Sequence, residues 1–190
     1  MKRMNRLAAL AVTLMLVLAG RVGAEEPIKI GAFFDLSGPA AFIGTPTRLV
    51  ADMVVDKINK AGGVNGKSIE LVVGDTEGDP AKAVNIVKKF IYKDQVAAII
   101  GPTRTGTGMA VKKIVHEGKV PTFMTVGGDP VIMGGEKLGP FDYVFKSPQR
   151  SSVAVKRLYL YLKEKGLTRV ALLTASDGFG KDGVRWLTQL

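Results

Sequence analysis

The sequence predicts an α/β fold, a doubly wound parallel sheet with helices on both faces. Three observations carry this. Short apolar runs bounded by glycine or proline recur along the chain. Most of these runs are followed by a stretch whose apolar residues fall at helical spacing. The alternation of strand and helix is kept, with one glycine-rich interruption, from Ile28 to the end of the chain.

Ile28 to Phe34 is apolar and short, which suits a buried strand, and Ser37-Gly38-Pro39 turns the chain after it. Leu49, Met53, Val54 and Ile58 then lie at helical spacing, and Gly62-Gly63 stops that helix. Ser68 to Gly74 reads as the second strand. Asp79-Pro80 has the form of an N-cap followed by proline at the first helical position, opening a helix that carries Val84, Val87, Phe90 and Ile91. Val96 to Ile100 is the third strand, Thr107 to Glu117 a helix, and Val120 to Thr125 the fourth strand. Residues 127–142 break the rhythm, with glycine or proline at seven positions. Tyr143 to Phe145 is a short extended piece, and Gln149 to Lys165 an amphipathic helix with Val153, Val155, Leu158, Leu160, Tyr161 and Leu162. Arg169 to Ala175 reads as a further buried strand, Asp177-Gly178-Phe179-Gly180 as a turn, and Lys181 to Leu190 as the start of a helix. That helix carries Trp186, Leu187 and Leu190 with no stop signal, the expectation for a piece of a longer protein.

The first 24 residues stand apart. Lys2, Arg3 and Arg6 precede an apolar run from Leu7 to Gly20, and Val22-Gly23-Ala24 is a small-residue cleavage site. This is the pattern of a cleaved secretory signal. The run falls short of the roughly 20 residues a membrane-spanning helix needs. Arg21 stands where a lipoprotein would need cysteine, so the expectation is an unlipidated mature chain beginning near Glu25. The signal holds four basic and no acidic residues, and its removal takes the formal charge from +10 to +6. The other lysines are spread over several helices without aromatic interleaving, which argues against a nucleic-acid partner.

The chain has no cysteine and one histidine, which rules out thiol catalysis and multi-histidine metal sites. His116, near a helix end, reads as a partly exposed residue suited to the negative end of the helix dipole. Ala61 to Ser68 nearly matches a P-loop, but it lacks the first glycine and lies between a helix and a strand, so it reads as a turn. Gly106-Thr107-Gly108 follows a strand and opens a helix; it lacks the third glycine of a dinucleotide fingerprint, and its use is anion binding by helix N-terminal amides. In open parallel sheets ligands bind at the carboxyl ends of the strands. The loops expected there, residues 35–44, 75–79, 101–106, 125–130 and 176–180, are rich in Gly, Ser, Thr and Asp and contain no nucleophile–base pair. The expectation is binding without chemistry: no enzyme, no metal and no cofactor.

The same loops carry a resemblance. Ile28-Lys29-Ile30-Gly31, Leu36-Ser37-Gly38-Pro39 with Gly44, Ile58 to Lys67, Asp75 to Pro80, Ile99-Ile100-Gly101-Pro102 and Asp177-Gly178-Phe179-Gly180 occur in the order and spacing of one family. The chain resembles the solute-binding proteins of ABC transporters in the branched-chain amino acid and amide group, over essentially all of residues 27–190. The resemblance implies a type I periplasmic-binding-protein fold in two lobes that close on a ligand. Residues 25–146 would form an incomplete first lobe, crossing over near Lys146-Ser147-Pro148, and residues 147–190 the beginning of the second. It implies a monomeric periplasmic receptor that hands a small amino acid, amide or carboxylate to a membrane permease. An extracellular ligand-sensing regulatory domain of the same fold stays open beside it.

Family pocket residues carry over onto matching positions. Thr105 is placed to contact a ligand carboxylate, Val126-Gly127-Gly128 form the loop after the fourth strand, and Phe179 and Ile43 stand where aromatics are usual. Gly128 supplies no hydroxyl and Phe179 no phenolic group, so a carboxylate without an α-amino group stays open beside an amino acid. Arg104 is a further candidate partner for an acid group, with a solvent-facing loop charge as the other reading.

Overall fold

The computed structural model describes residues 25–133 and 141–190. The expected signal segment and residues 134–140 of the glycine-rich loop lie outside the described residues. Five parallel strands form one sheet in the order β2-β1-β3-β4-β5: β1 Ile28–Phe34, β2 Ile69–Asp75, β3 Ala98–Ile100, β4 Thr122–Met124 and β5 Val144–Lys146. The helices are α1 Ala41–Lys60, α2 Pro80–Lys89, α3 Thr105–Glu117, α4 Ser151–Glu164 and α5 Gly178–Gln189. A π-helical turn, Phe90–Asp94, extends α2, and a 3₁₀ turn, Asp129–Val131, follows β4.

The crossover from β1 to β2 runs one way along the sheet, and that from β2 to β3 runs back past β1. Right-handed crossovers then put α1 on one face and α2 and α3 on the other. The main core lies under α2 and α3: Phe33, Val87, Phe90, Ile99, Val111, Val115 and Met124 are all essentially inaccessible. Each such side chain contributes about 1.5–3 kcal/mol by leaving water. Lys112 of α3 ties the 3₁₀ segment to this layer, donating to the carbonyls of Pro130 (2.6 Å) and Met133 (2.7 Å). Burial draws its pKa below the usual lysine value.

Local side-chain caps set two of the five described helix starts, those of α2 and α5. Asp79 caps α2 through the amides of Ala81 and Lys82 at 2.6 and 3.2 Å, with Pro80 first in the helix, as the Asp-Pro pair predicts. Gly44 lets α1 lie on the end of β1, because a Cβ there would stand 2.0 Å from the Asp35 carbonyl oxygen.

Three expectations need correction. The segment Arg169 to Ala175 forms no strand and is exposed throughout. A strand needs a neighbour to take its amides and carbonyls, and among the described residues none lies beside it. Asp177-Gly178-Phe179-Gly180 is no free turn; it is the cap and first turn of α5. The apolar residues of α1 and α4 are real, but their faces are not both covered. Leu49, Met53 and Val54 are half or more exposed, and α1 packs instead through Gly44, Ala51, Val55 and Ile58. On α4 only Val155 is buried. Among the described residues, no helix is long and apolar enough to cross a membrane.

Candidate binding cleft

The sheet order reverses direction between β1 and β3, the switch point at which a parallel sheet opens a crevice at its carboxyl edge. A cleft of about 540 Å³ opens there, within the range of small-ligand pockets. After β1 come Pro39, Ala40, Phe42 and Ile43; after β3, Thr103, Arg104 and Thr105; after β4, Thr125, Val126 and Gly127. Ala175, Ser176, Asp177 and Phe179 close it from the C-terminal segment. Four of the five expected loops thus line one cavity.

The fifth loop buttresses the first. The Asp75 carboxylate accepts from the amides of Leu36 (2.9 Å), Ser37 (3.3 Å) and Glu77 (2.9 Å) and from Ser37 Oγ (2.7 Å). Partial burial alone would raise its pKa; the hydrogen bonds from Ser37 and the three amides outweigh that and lower it. A carboxylate with a folded pKa below its unfolded value, about 3.9, stabilises the fold above that value. The stabilisation fades as the pH falls through the folded pKa. Asp75→Asn is therefore expected to flatten the loss of thermal stability below about pH 4; the same acid slope in both proteins would contradict this role.

Thr105 opens α3 and is 2% exposed. Its Oγ1 accepts from the Gly128 amide at 3.3 Å, which leaves its own proton free to donate. The N-cap of α3, Arg104, makes no side-chain cap, so the first amides of α3 lack that partner beside the cleft. The cap of α1, Ala40, has none either and also lines the cleft. Helix N-termini with free amides favour a negative group. By contrast, α5 is capped by Asp177, which accepts from Phe179 and Gly180 at 3.0 Å each.

The expected residues Ile43, Thr105, Val126, Gly127 and Phe179 all line the cavity. Gly128 does not. It is buried behind Thr105, where a Cβ would stand 2.4 Å from Thr105 Cγ2, so its missing side chain makes room for the threonine. Arg104 is neither a free partner for a ligand acid nor a purely solvent-facing charge. Its Nε lies 3.1 Å from Oδ2 of Asp35, a fully buried carboxylate whose Oδ1 accepts from Thr76 Oγ1 at 2.5 Å. His116 is half-buried at the end of α3, edge-on to Phe141, as its helix-end position predicts.

Sequence reasoning missed a buried network beneath the cleft. Asp129 accepts from the amides of Ser151 (3.0 Å) and Ser152 (3.2 Å), so it caps α4 from 22 residues away; Arg150, the local cap, offers no side-chain bond. Lys146 Nζ lies 3.5 Å from Asp129 Oδ1, with both side chains almost inaccessible, and also donates to the Pro148 and Gln149 carbonyls. The Asp129 amide donates to Asp182 Oδ2 of α5 at 2.9 Å, and Ser151 Oγ to the Gly127 carbonyl at 3.0 Å. The network thus ties both C-terminal helices to the loop that forms the cleft wall.

A parallel α/β sheet with a cleft at its switch point is the architecture of type I periplasmic binding proteins. The chain belongs to the family described as "Periplasmic binding protein", whose model matches residues 27–190. It is 28% identical over 175 residues to a Leu/Ile/Val-binding protein of Rhizobium johnstonii, covering 92% of this chain and 47% of that protein. It superposes on the branched-chain amino acid transporter substrate-binding protein LivJ of Streptococcus pneumoniae, solved with isoleucine, with TM-score 0.74 and 28% identity, covering 86% of this chain and 46% of that one. A type 1 periplasmic binding protein of Bordetella pertussis matches with TM-score 0.75 and 29% identity, over 85% of this chain and 44% of that one. The chain spans about half the length of these three relatives.

Proposed function

We propose that the protein is an exported solute receptor of an ABC importer. It binds a small amino acid, amide or carboxylate between two lobes and delivers it to a membrane permease, acting as a monomer in the periplasm after its signal is cleaved near Ala24. Residues 25–146 are the first lobe and residues 147–190 the beginning of the second. The observation that carries this is the convergence on one cleft of Thr105, the N-termini of α1 and α3, and an apolar wall of Ile43, Val126 and Phe179. A carboxylate fits the helix ends and the hydroxyl, and an apolar body fits the wall. The relatives named as Leu/Ile/Val-binding proteins, and the one solved with isoleucine, support this ligand class.

The cleft offers binding groups without a nucleophile paired to a base, which supports a receptor over an enzyme. Isothermal titration of the full-length protein with isoleucine and with 3-methylpentanoate, its amino-free counterpart, tests the proposal. Saturable one-to-one binding of either, with the solute recovered unchanged, is expected. No binding by either, or chemical conversion of the bound solute, would overturn it.

A further inference from the structure

The wall of the cleft contains a contact between its two sides. The Phe179 ring from the start of α5 rests on Gly127 of the loop after β4. A Cβ on Gly127 would stand 2.7 Å from Phe179 Cε2, 3.3 Å from Cδ2 and 3.6 Å from Cζ. Contacts under 3.0 Å force something to move, and here the mobile partner is the far end of a side chain.

The backbone that carries the ring is held on several sides. A Cβ on the neighbouring Gly178 would lie 3.3 Å from the Gly106 amide nitrogen and 3.5 Å from Thr105 Cγ2, so the first turn of α5 sits directly on the first turn of α3. On the other side, a Cβ on Gly180 would stand 1.8 Å from the Ala175 carbonyl oxygen. Asp177 fixes the amides of Phe179 and Gly180, and Asp182 anchors the same helix to the Asp129 amide. A group placed on Gly127 therefore meets a ring whose backbone has little freedom to retreat, and the ring must turn about its own side-chain bonds. Phe179 is 54% exposed and lines the cleft together with Gly127, so the open space beside the ring is the ligand's.

We propose that Gly127 is a size-determining position that acts through Phe179. The bare glycine lets the ring lie back against the loop, and this sets the width of the cleft and the bulk of the apolar group it admits. The inference deepens the receptor proposal and rests on it. Gly127 is here a positioning residue, and the ring is the surface the ligand meets.

The test compares wild type, Gly127→Ala, Phe179→Ala and the double variant in the full-length protein. The probes are alanine, isoleucine and phenylalanine with their amino-free acids propanoate, 3-methylpentanoate and 3-phenylpropanoate, titrated calorimetrically. Gly127→Ala is expected to shift the ratio of affinities toward the smaller probe by roughly tenfold or more, the scale on which an apolar pocket discriminates by size. The double variant is expected to recover the larger probe, because the obstructing ring is gone. A loss shared equally by all probes would show a merely structural glycine and overturn the proposal, as would an unchanged ratio or no recovery in the double variant. No binding of any probe by wild type would overturn the receptor proposal and this one with it. Thermal midpoints without ligand give a second reading: Gly127→Ala should lower the midpoint only while Phe179 is present, and equal effects in both backgrounds would contradict the contact itself.

Discussion

Replacing Asp129 by alanine is expected to destabilise the protein by about 3–5 kcal/mol, the range for breaking a buried ion pair from one side. The Lys146 ammonium is left nearly inaccessible with, among the described residues, the Pro148 and Gln149 carbonyls as its hydrogen-bond acceptors. The two amides at the start of α4 lose their Asp129 acceptor at the same time. Asp129→Asn separates these effects. It keeps an oxygen for one amide and removes the charge, so it should fall between wild type and alanine. Denaturant unfolding of the three proteins measures this. An alanine variant within about 0.5 kcal/mol of wild type, the range of an ordinary surface substitution, would show that the network contributes little.

The second large effect is expected at Thr105, and it falls on ligand affinity. Valine has the shape of threonine without the hydroxyl. Thr105→Val should weaken a carboxylated ligand roughly ten- to hundredfold, since a hydrogen bond to a charged group contributes about 1.5–3 kcal/mol. It also strips the buried Gly128 amide of its acceptor, so a lower midpoint without ligand accompanies the loss. Thr105→Ser keeps the hydroxyl and is expected to bind close to wild type.

The sheet and its helices were legible because their signals are local. A short apolar run ahead of a turn, or Asp79-Pro80 ahead of a helix, announces itself within a few residues. The place of the cleft was legible for a similar reason, because a parallel sheet puts its loops on one edge; Ile43, Thr105, Val126 and Gly127 within those loops came from the family resemblance. What stayed hidden depends on partners distant in sequence. Asp129 and Asp182 are 53 residues apart, and Arg104 and Asp35 are further apart still, so neither pairing leaves a mark in spacing. Gly128 lacks the hydroxyl that the family resemblance places there, and its role is to make room for Thr105. Arg169 to Ala175 has the composition of a strand, but composition cannot supply the neighbour that completes one. Likewise the apolar spacing of Leu49, Met53 and Val54 fits a helix face, and it is Gly44, close against β1, that selects which face of α1 packs.

The most direct test of the account is ligand-induced stabilisation of the full-length protein. Wild type, Thr105→Val and Thr105→Ser are melted with each of the six amino acids and amino-free acids named above. A ligand at a hundred times its dissociation constant adds about 2.7 kcal/mol to the folded state. At least one carboxylated probe is expected to raise the midpoint of wild type and of Thr105→Ser, and to raise that of Thr105→Val far less. Failure of every probe to stabilise wild type, or equal stabilisation of Thr105→Val, would contradict a receptor cleft built around Thr105.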